Sequence, residues 1–225
     1  MSVHSVSGSE HVVLLHGLAR SAASMEKMAK ALVAAGYTVD NRDYQSRTAS
    51  VEALAESAFP AAMSTAAAKR SERIHFVTHS MGGILVRAWF GKHRLSRLGR
   101  VVMLAPPNGG SEVVDHLRDW KLFNLVNGPA GQELGTDPGA IVHRLGPVAF
   151  DLGVIAGDRT INWINSWFMI PGDDDGKVSV ERTKVDGMGD HVVIHATHPF
   201  MPANREAIEL TIRFLNTGSF DAGGR

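Results

Sequence analysis

Between an apolar run that ends at Val77 and another that begins at Ile84 stand Thr78, His79, Ser80, Met81, Gly82 and Gly83. A serine hydroxyl attacks carbonyl carbon only if a base takes its proton and a carboxylate fixes that base in the right tautomer. The spacing here suits such a serine. Where a strand feeds directly into a helix, the residue at the tip is forced into a strained conformation, and its side chain projects above the sheet edge. The residues two positions either side must then be small, because strand and helix nearly touch. Gly82 meets that demand on the helix side. On the strand side Thr78 stands where the G-x-S-x-G pattern has glycine, so a hydroxyl and a methyl must fit the space of a hydrogen. The same turn offers the amide of Met81 at a helix N-terminus, where the dipole favours a developing negative charge. A second donor is expected from the loop after an earlier strand. In "LLHGLARS" (14–21), His16-Gly17 permits a tight turn that aims the N–H of Leu18 at the same oxyanion.

A base and an acid must follow in chain order, the acid after a late strand and the histidine after the last. Two histidines compete in "HATHP" (195–199). His195 belongs to the final strand, whereas His198 lies in the loop before the terminal helix, with the reach a base requires. His198 is favoured. For the acid, Asp158 follows the strand "GVIAG", and Asp173, Asp174 and Asp175 lie in "PGDDDGKVSV". Three adjacent carboxylates are not all buried together, so at least two are expected to be solvated.

Each assignment has a plainer rival. Ser80 could be an ordinary helix N-cap, a position that serine favours, although the ordered oxyanion segment, acid and histidine argue against it. His79 reads as a structural residue packed beside the sheet. His191, His195 and His198, spaced by four and three, could converge on a metal, but the chain has no cysteine and no H-E-x-x-H pattern, and no metal is expected. "DDDGKVSVE" supplies calcium ligands poorly.

The elements that must position these groups alternate along the chain. Short apolar strands are read at 11–15, 37–44, 73–79, 99–107, 151–158 and 191–197, and helices at 21–36, 50–63 (bent or ended by Pro60), 81–93 and 204–216. Nearly continuous apolar strands between helices predict a mostly parallel sheet covered on both faces. The stretch 108–150, rich in Gly, Pro and Asn, has no clear period and reads as a cap or lid insertion. In "TINWINSWFMI" (160–170), Trp163, Ile164, Trp167 and Phe168 recur at helical spacing. Core packing is the simpler account, and an apolar wall for an acyl chain the sharper one. Leu122, Phe123, Leu125 and Val126 pose the same choice.

With 225 residues, 44% of them apolar, the chain supports one sizeable core. Lys plus Arg and Asp plus Glu number 23 each, which speaks against a nucleic-acid partner. The lack of cysteine excludes disulfides and thiolate catalysis. No apolar run approaches the roughly 20 residues of a membrane helix. "MSVHSVSGSE" has no signal-peptide pattern, so a cytoplasmic location is the default, and a processed secreted form would look the same.

The segments "VVLLHGLARS", "FVTHSMGGILVR", "VVMLAPPNGGSEVVD", "LGVIAGD", "DDDGKVSVERT" and "HPFMPANREAIELTIRFL" together resemble the small bacterial α/β-hydrolases of the lipase and esterase type. They are also similar to the hydrolase core of GPI-inositol deacylase-like proteins. The resemblance spans nearly the whole chain and implies a single α/β-hydrolase domain over 1–225. In such lipases the acid commonly sits in an Asp-Gly-x-Val context, here Asp175-Gly176-Lys177-Val178, which favours Asp175 over Asp158. The histidine before the final helix is His198. The resulting expectation is a cofactor-free serine carboxylesterase acting on a small-molecule ester of short to medium acyl chain. Ser80, Asp175 and His198 form its triad, and the N–H groups of Leu18 and Met81 its oxyanion hole. The same triad would serve an acyltransferase, thioesterase or amidase. A silent hydrolase fold acting as a binding module is the alternative from another class.

Overall fold

The computed structural model describes residues 10–117, 120–160 and 174–223. Six strands pair in the order β2-β1-β3-β4-β5-β6, every pair parallel. They are β1 (Glu10–Leu15), β2 (Thr38–Arg42), β3 (Arg73–His79), β4 (Leu98–Leu104), β5 (Leu152–Gly157) and β6 (Asp190–Ile194). β2 and β6 are shorter than their apolar patterns suggested. β6 ends at Ile194, so His195 lies just beyond the strand in which it was expected.

The four inner strands are largely apolar on both sides because both sides are covered, whereas the edge strands β2 and β6 are polar in part and only partly buried. On one face Val13, Leu15, Phe76 and Met103 pack with Leu54 and Phe59 of α2 (Val51–Met63) and with Ile84 and Leu85 of α4 (Met81–Lys92). On the other, Val12, Leu14, Val77 and Ile155 pack with Met28 and Leu32 of α1 (Glu26–Ala34) and with Phe214 of the terminal helix. Alternate side chains of one strand therefore serve opposite cores, as the two-residue period of a strand dictates.

Local chemistry sets the helix ends. The Ser50 hydroxyl accepts from the amide of Ala53 at the start of α2. The helix then runs through Pro60 to Met63, and a short α3 (Ala66–Arg70) follows, which the sequence pattern had not suggested. The expected helix 21–36 opens as a 3₁₀ turn at Ala22–Met25 before α1.

The aperiodic stretch 108–150 is largely helical. It holds α5 (Glu112–Leu117), α6 (Lys121–Gln132) and α7 (Ile141–Arg144), with α6 broken at Gly128 by a non-helical conformation ahead of Pro129. Its lack of a single period reflects three separate pieces, one of them broken within. The terminal helix, α8 (Arg205–Thr217), is capped by Asn204, whose side chain accepts from the amide of Ala207, and ends in left-handed Gly218.

Where β3 passes into α4, strand and helix touch. A methyl on Gly82 would lie 2.6 Å from the carbonyl oxygen of Leu15 and 3.0 Å from that of His16. Both are backbone atoms of the neighbouring strand and cannot turn aside. Gly82→Ala is therefore expected to destabilise the fold by about 2–4 kcal/mol. Gly91→Ala, in the same helix with open space around the added methyl, should be neutral or stabilise by up to about 1 kcal/mol. Urea denaturation of both variants makes the comparison.

Candidate active site

Ser80 occupies the junction with φ 53° and ψ −125°, a region that costs a non-glycine residue on the order of 1–3 kcal/mol. Its amide donates to the carbonyl of Leu104 (2.8 Å), and its carbonyl accepts from Gly83 (3.0 Å), so strand and helix both pin it. The hydroxyl makes no capping bond to α4, as an ordinary N-cap would. It lies 3.0 Å from Nε2 of His198 instead. His198 Nδ1 is 2.7 Å from Oδ2 of Asp175. A carboxylate only accepts, so Nδ1 carries the ring proton and Nε2 presents its lone pair to the serine hydroxyl.

The acid is fixed by a tight turn. Gly176 adopts φ 97°, which swings the chain back so that Asp175 Oδ1 accepts from the amides of Lys177 (3.1 Å) and Val178 (3.0 Å). The backbone of Asp175 accepts from the amide of His198 (2.9 Å), tying acid and histidine together at both main chain and side chain. Asp175 and His198 are both buried. Asp174, expected to be solvated, is buried too, and its carboxylate accepts from the amide of Gly176 (2.6 Å). Burial is affordable because the turn supplies a donor. Asp173 lies outside the described residues, as do Trp163, Ile164, Trp167 and Phe168.

The other candidates go elsewhere. His195 is largely exposed and pairs with Asp158 (2.9 Å) away from the serine, while His191 Nε2 meets the Thr183 hydroxyl (3.0 Å). The three late histidines thus serve three different partners. Among the described residues no group of three or more metal-ligating side chains gathers.

Thr78, in the place of the customary glycine, is fully buried between Leu15 and Met103 of the flanking strands. Its hydroxyl has no hydrogen-bond partner among the described residues.

The turn after β1 closes over the serine, so that a methyl on Gly17 would come 3.1 Å from Ser80 Cβ. Among the contacts that hold it, the Tyr44 hydroxyl donates to the carbonyl of His16 (2.6 Å), the Tyr44 ring stacks on the His16 ring, His16 Nε2 lies 3.0 Å from Asp43 Oδ1, and the amide of Ala19 donates to Ser46 (3.0 Å). Leu18 lines the pocket above Ser80. Neither its amide nor that of Met81 donates within the described residues. The pocket, of about 80 Å³, is walled by Leu18, Pro107, Val114, Leu134 and Val178, with Arg20 and Lys177 beside them. Leu125 of α6, by contrast, is 80% exposed.

His79 does more than pack beside the sheet. Its Nε2 lies 3.0 Å from the carbonyl oxygen of His198 and must be the protonated nitrogen, because that carbonyl only accepts. It thereby braces the start of a 3₁₀ helix, His198–Ala203, which stands where the sequence suggested a loop. Nothing in one sequence marks such a contact, since the partner is 119 residues away.

The sequence profile of the alpha/beta hydrolase family matches residues 12–208. The chain belongs to the alpha/beta hydrolase family. Among solved structures, this hydrolase is similar to the mature form of lipase BlEst2 from Bacillus licheniformis, with a TM-score of 0.72, 17% identity and 94% of each chain covered. It is also similar to phospholipase PlaB from Legionella pneumophila, with a TM-score of 0.71 and 17% identity over 94% of this chain and 59% of that one. The metagenomic carboxyl esterase MGS0156 gives a TM-score of 0.63 and 17% identity over 86% and 65%. At these identities the likeness is one of fold. No curated protein matches the sequence. No helix of the hydrolase, among the described residues, is long and apolar enough to cross a membrane.

Burial, reinforced by repulsion from His198, holds the pKa of His79 well below 6.5. The ring is expected to remain neutral, Nε2-protonated and non-titrating by ¹⁵N NMR as the pH falls through about 6.5, where a free imidazole titrates. The linkage has a definite sign. Above the unfolded value of about 6.5 neither state is penalised. Below it the unfolded chain takes up a proton that the folded chain refuses, so this residue makes stability fall as pH drops.

Proposed function

We propose that this chain is a serine carboxylesterase acting on short- to medium-chain carboxylic esters. One observation carries the reading. On a hydrolase fold, Ser80 Oγ, His198 and Asp175 form an unbroken hydrogen-bonded chain whose serine end opens into the pocket. The hydroxyl gives its proton to Nε2 as Oγ attacks the ester carbonyl. The imidazolium formed is stabilised by Asp175, then donates to the departing alkoxide. The amides of Leu18 and Met81, unpartnered among the described residues, hold the tetrahedral oxyanion, each contributing about 3 kcal/mol. Water, activated by His198, then releases the acid from the acyl-enzyme. No step calls for a cofactor.

The small, largely apolar pocket favours modest acyl groups. The chain acts as one hydrolase domain, with 108–150 as its cap. That cap is fastened rather than free: the buried guanidinium of Arg87, on α4, donates to the carbonyls of Asn108, Val142 and Gly146 at 2.9, 2.9 and 3.0 Å.

Initial rates on p-nitrophenyl esters from acetate to palmitate test the reading. Ser80→Ala should lower kcat by on the order of 10⁶-fold, and Asp175→Asn by about 10⁴-fold. Asp158→Asn should stay within about twofold of wild type, because among the described residues its carboxylate serves the exposed His195 alone. Equal losses for the two aspartates would reject the triad. Wild type inactive on every ester, and unlabelled at Ser80 by a fluorophosphonate, would reject the enzyme.

A further inference from the structure

The pocket over Ser80 contains two cations and, among its described lining residues, no acid. Arg20 comes from the turn after β1, and Lys177 from the turn that holds Asp175. Both remain exposed at the pocket. Several cations on this surface meet carboxylates: Arg100 pairs with Asp151, Arg182 with Glu112 and Arg205 with Glu209. Neither the Arg20 nor the Lys177 side chain has such a partner among the described residues. Asp175, close by, is already committed to His198 and two amides.

Both cations stand on ordered backbone. The amide of Arg20 bonds the carbonyl of Gly17 (3.3 Å), the amide of Lys177 bonds Asp175, and the carbonyl of Lys177 accepts from the Ser111 hydroxyl (2.8 Å). The positive charge is thus presented by fixed turns within the walls that hold the nucleophile. A solvated surface lysine needs no such frame.

We propose that the ester cleaved at Ser80 carries an anionic oxygen group, carboxylate or phosphate, which Arg20 and Lys177 bind at the pocket while its apolar part meets Leu18, Val114 and Leu134. This inference rests on the hydrolase reading above and narrows it to amphipathic, negatively charged esters. Two like charges facing one pocket repel each other, and a substrate anion between them removes that repulsion. The charge state of the site agrees. Although Lys177 is open to solvent on one side, the protein packed around it desolvates its ammonium, and Arg20 repels it. Together these lower its pKa, against the smaller opposing pull of Asp175.

The test compares esters of one shape and different charge. 4-Carboxyphenyl butyrate and 4-(phosphonooxy)phenyl butyrate are set against 4-carbamoylphenyl butyrate. 4-Nitrophenyl hydrogen adipate, set against its terminal amide, places the charge on the acyl side. At low ionic strength at least one anionic ester should exceed its neutral counterpart in kcat/KM by about tenfold or more. The arm that responds shows whether carboxylate or phosphate is read, and on which side of the ester. That ratio should fall about threefold or more in each of Arg20→Met and Lys177→Met, and approach one in the double variant. It should also shrink in about 0.5 M salt. Turnover of neutral esters with no anion preference, or a preference that survives the double substitution, overturns the inference and leaves the hydrolase standing. Failure on every ester with Ser80 unlabelled removes both.

Discussion

Everything at the site depends on one backbone distortion. Ser80 is held at φ 53° where extended strand becomes helix with no intervening loop. Its conformation is tolerable only because three neighbours leave no alternative: Leu104 takes its amide, Gly83 its carbonyl, and the absent side chain of Gly82 lets α4 lie against the carbonyl of Leu15. The sheet core on both faces of β3 supplies the rigidity. The other non-glycine residues with positive φ among the described positions, Ala19 and Ala105, lie just after β1 and β4, the two strands that flank β3. Backbone strain is therefore gathered along the edge where chemistry is proposed, and the packed core below it offsets the cost.

Burial then does two different jobs. For Asp175 and His198 it removes water from a hydrogen bond whose strength depends on a dry, aligned geometry. For His79 it suppresses protonation, so that the ring beside His198 stays neutral and braces a carbonyl instead of adding a competing positive charge. Two buried histidines 4.9 Å apart, centre to centre, are kept in distinct roles by what each nitrogen faces.

Much of this was legible in the residues. The strand–serine–glycine junction is a local pattern, and local patterns survive in sequence because their geometry is set by two or three neighbours. The choice of His198 over His195 followed from reach, and the structure separates the two by sending His195 to Asp158. The helices were readable where one apolar stripe ran their length, and α5 to α7 were not, because α5 and α7 are too short to build a period and α6 is broken at Gly128. Asp174 was misjudged because its solvation depends on the fold of a glycine turn rather than on its own charge. The contacts of His79, the anchoring of the Gly17 turn by Tyr44 and the placement of Arg20 beside Lys177 all join residues far apart in the chain. One sequence carries no signal for such pairs, although Arg20 and Lys177 both stood inside the motifs that drew attention.

Arg87 has a consequence of a different kind. Its guanidinium spends three main-chain bonds on the two ends of the 108–150 segment, from the same helix that begins at Ser80. The base of the insertion is riveted to the scaffold, whereas Leu125, in the kinked α6 between those rivets, stands largely in solvent. Exposed positions such as Leu125 can change without disturbing the buried residues of the same segment, Ala130 and Leu134 among them. The arrangement joins a fixed attachment to an exposed surface, so that the outer face of the insertion is free to change over evolutionary time while the frame beneath it stays constant.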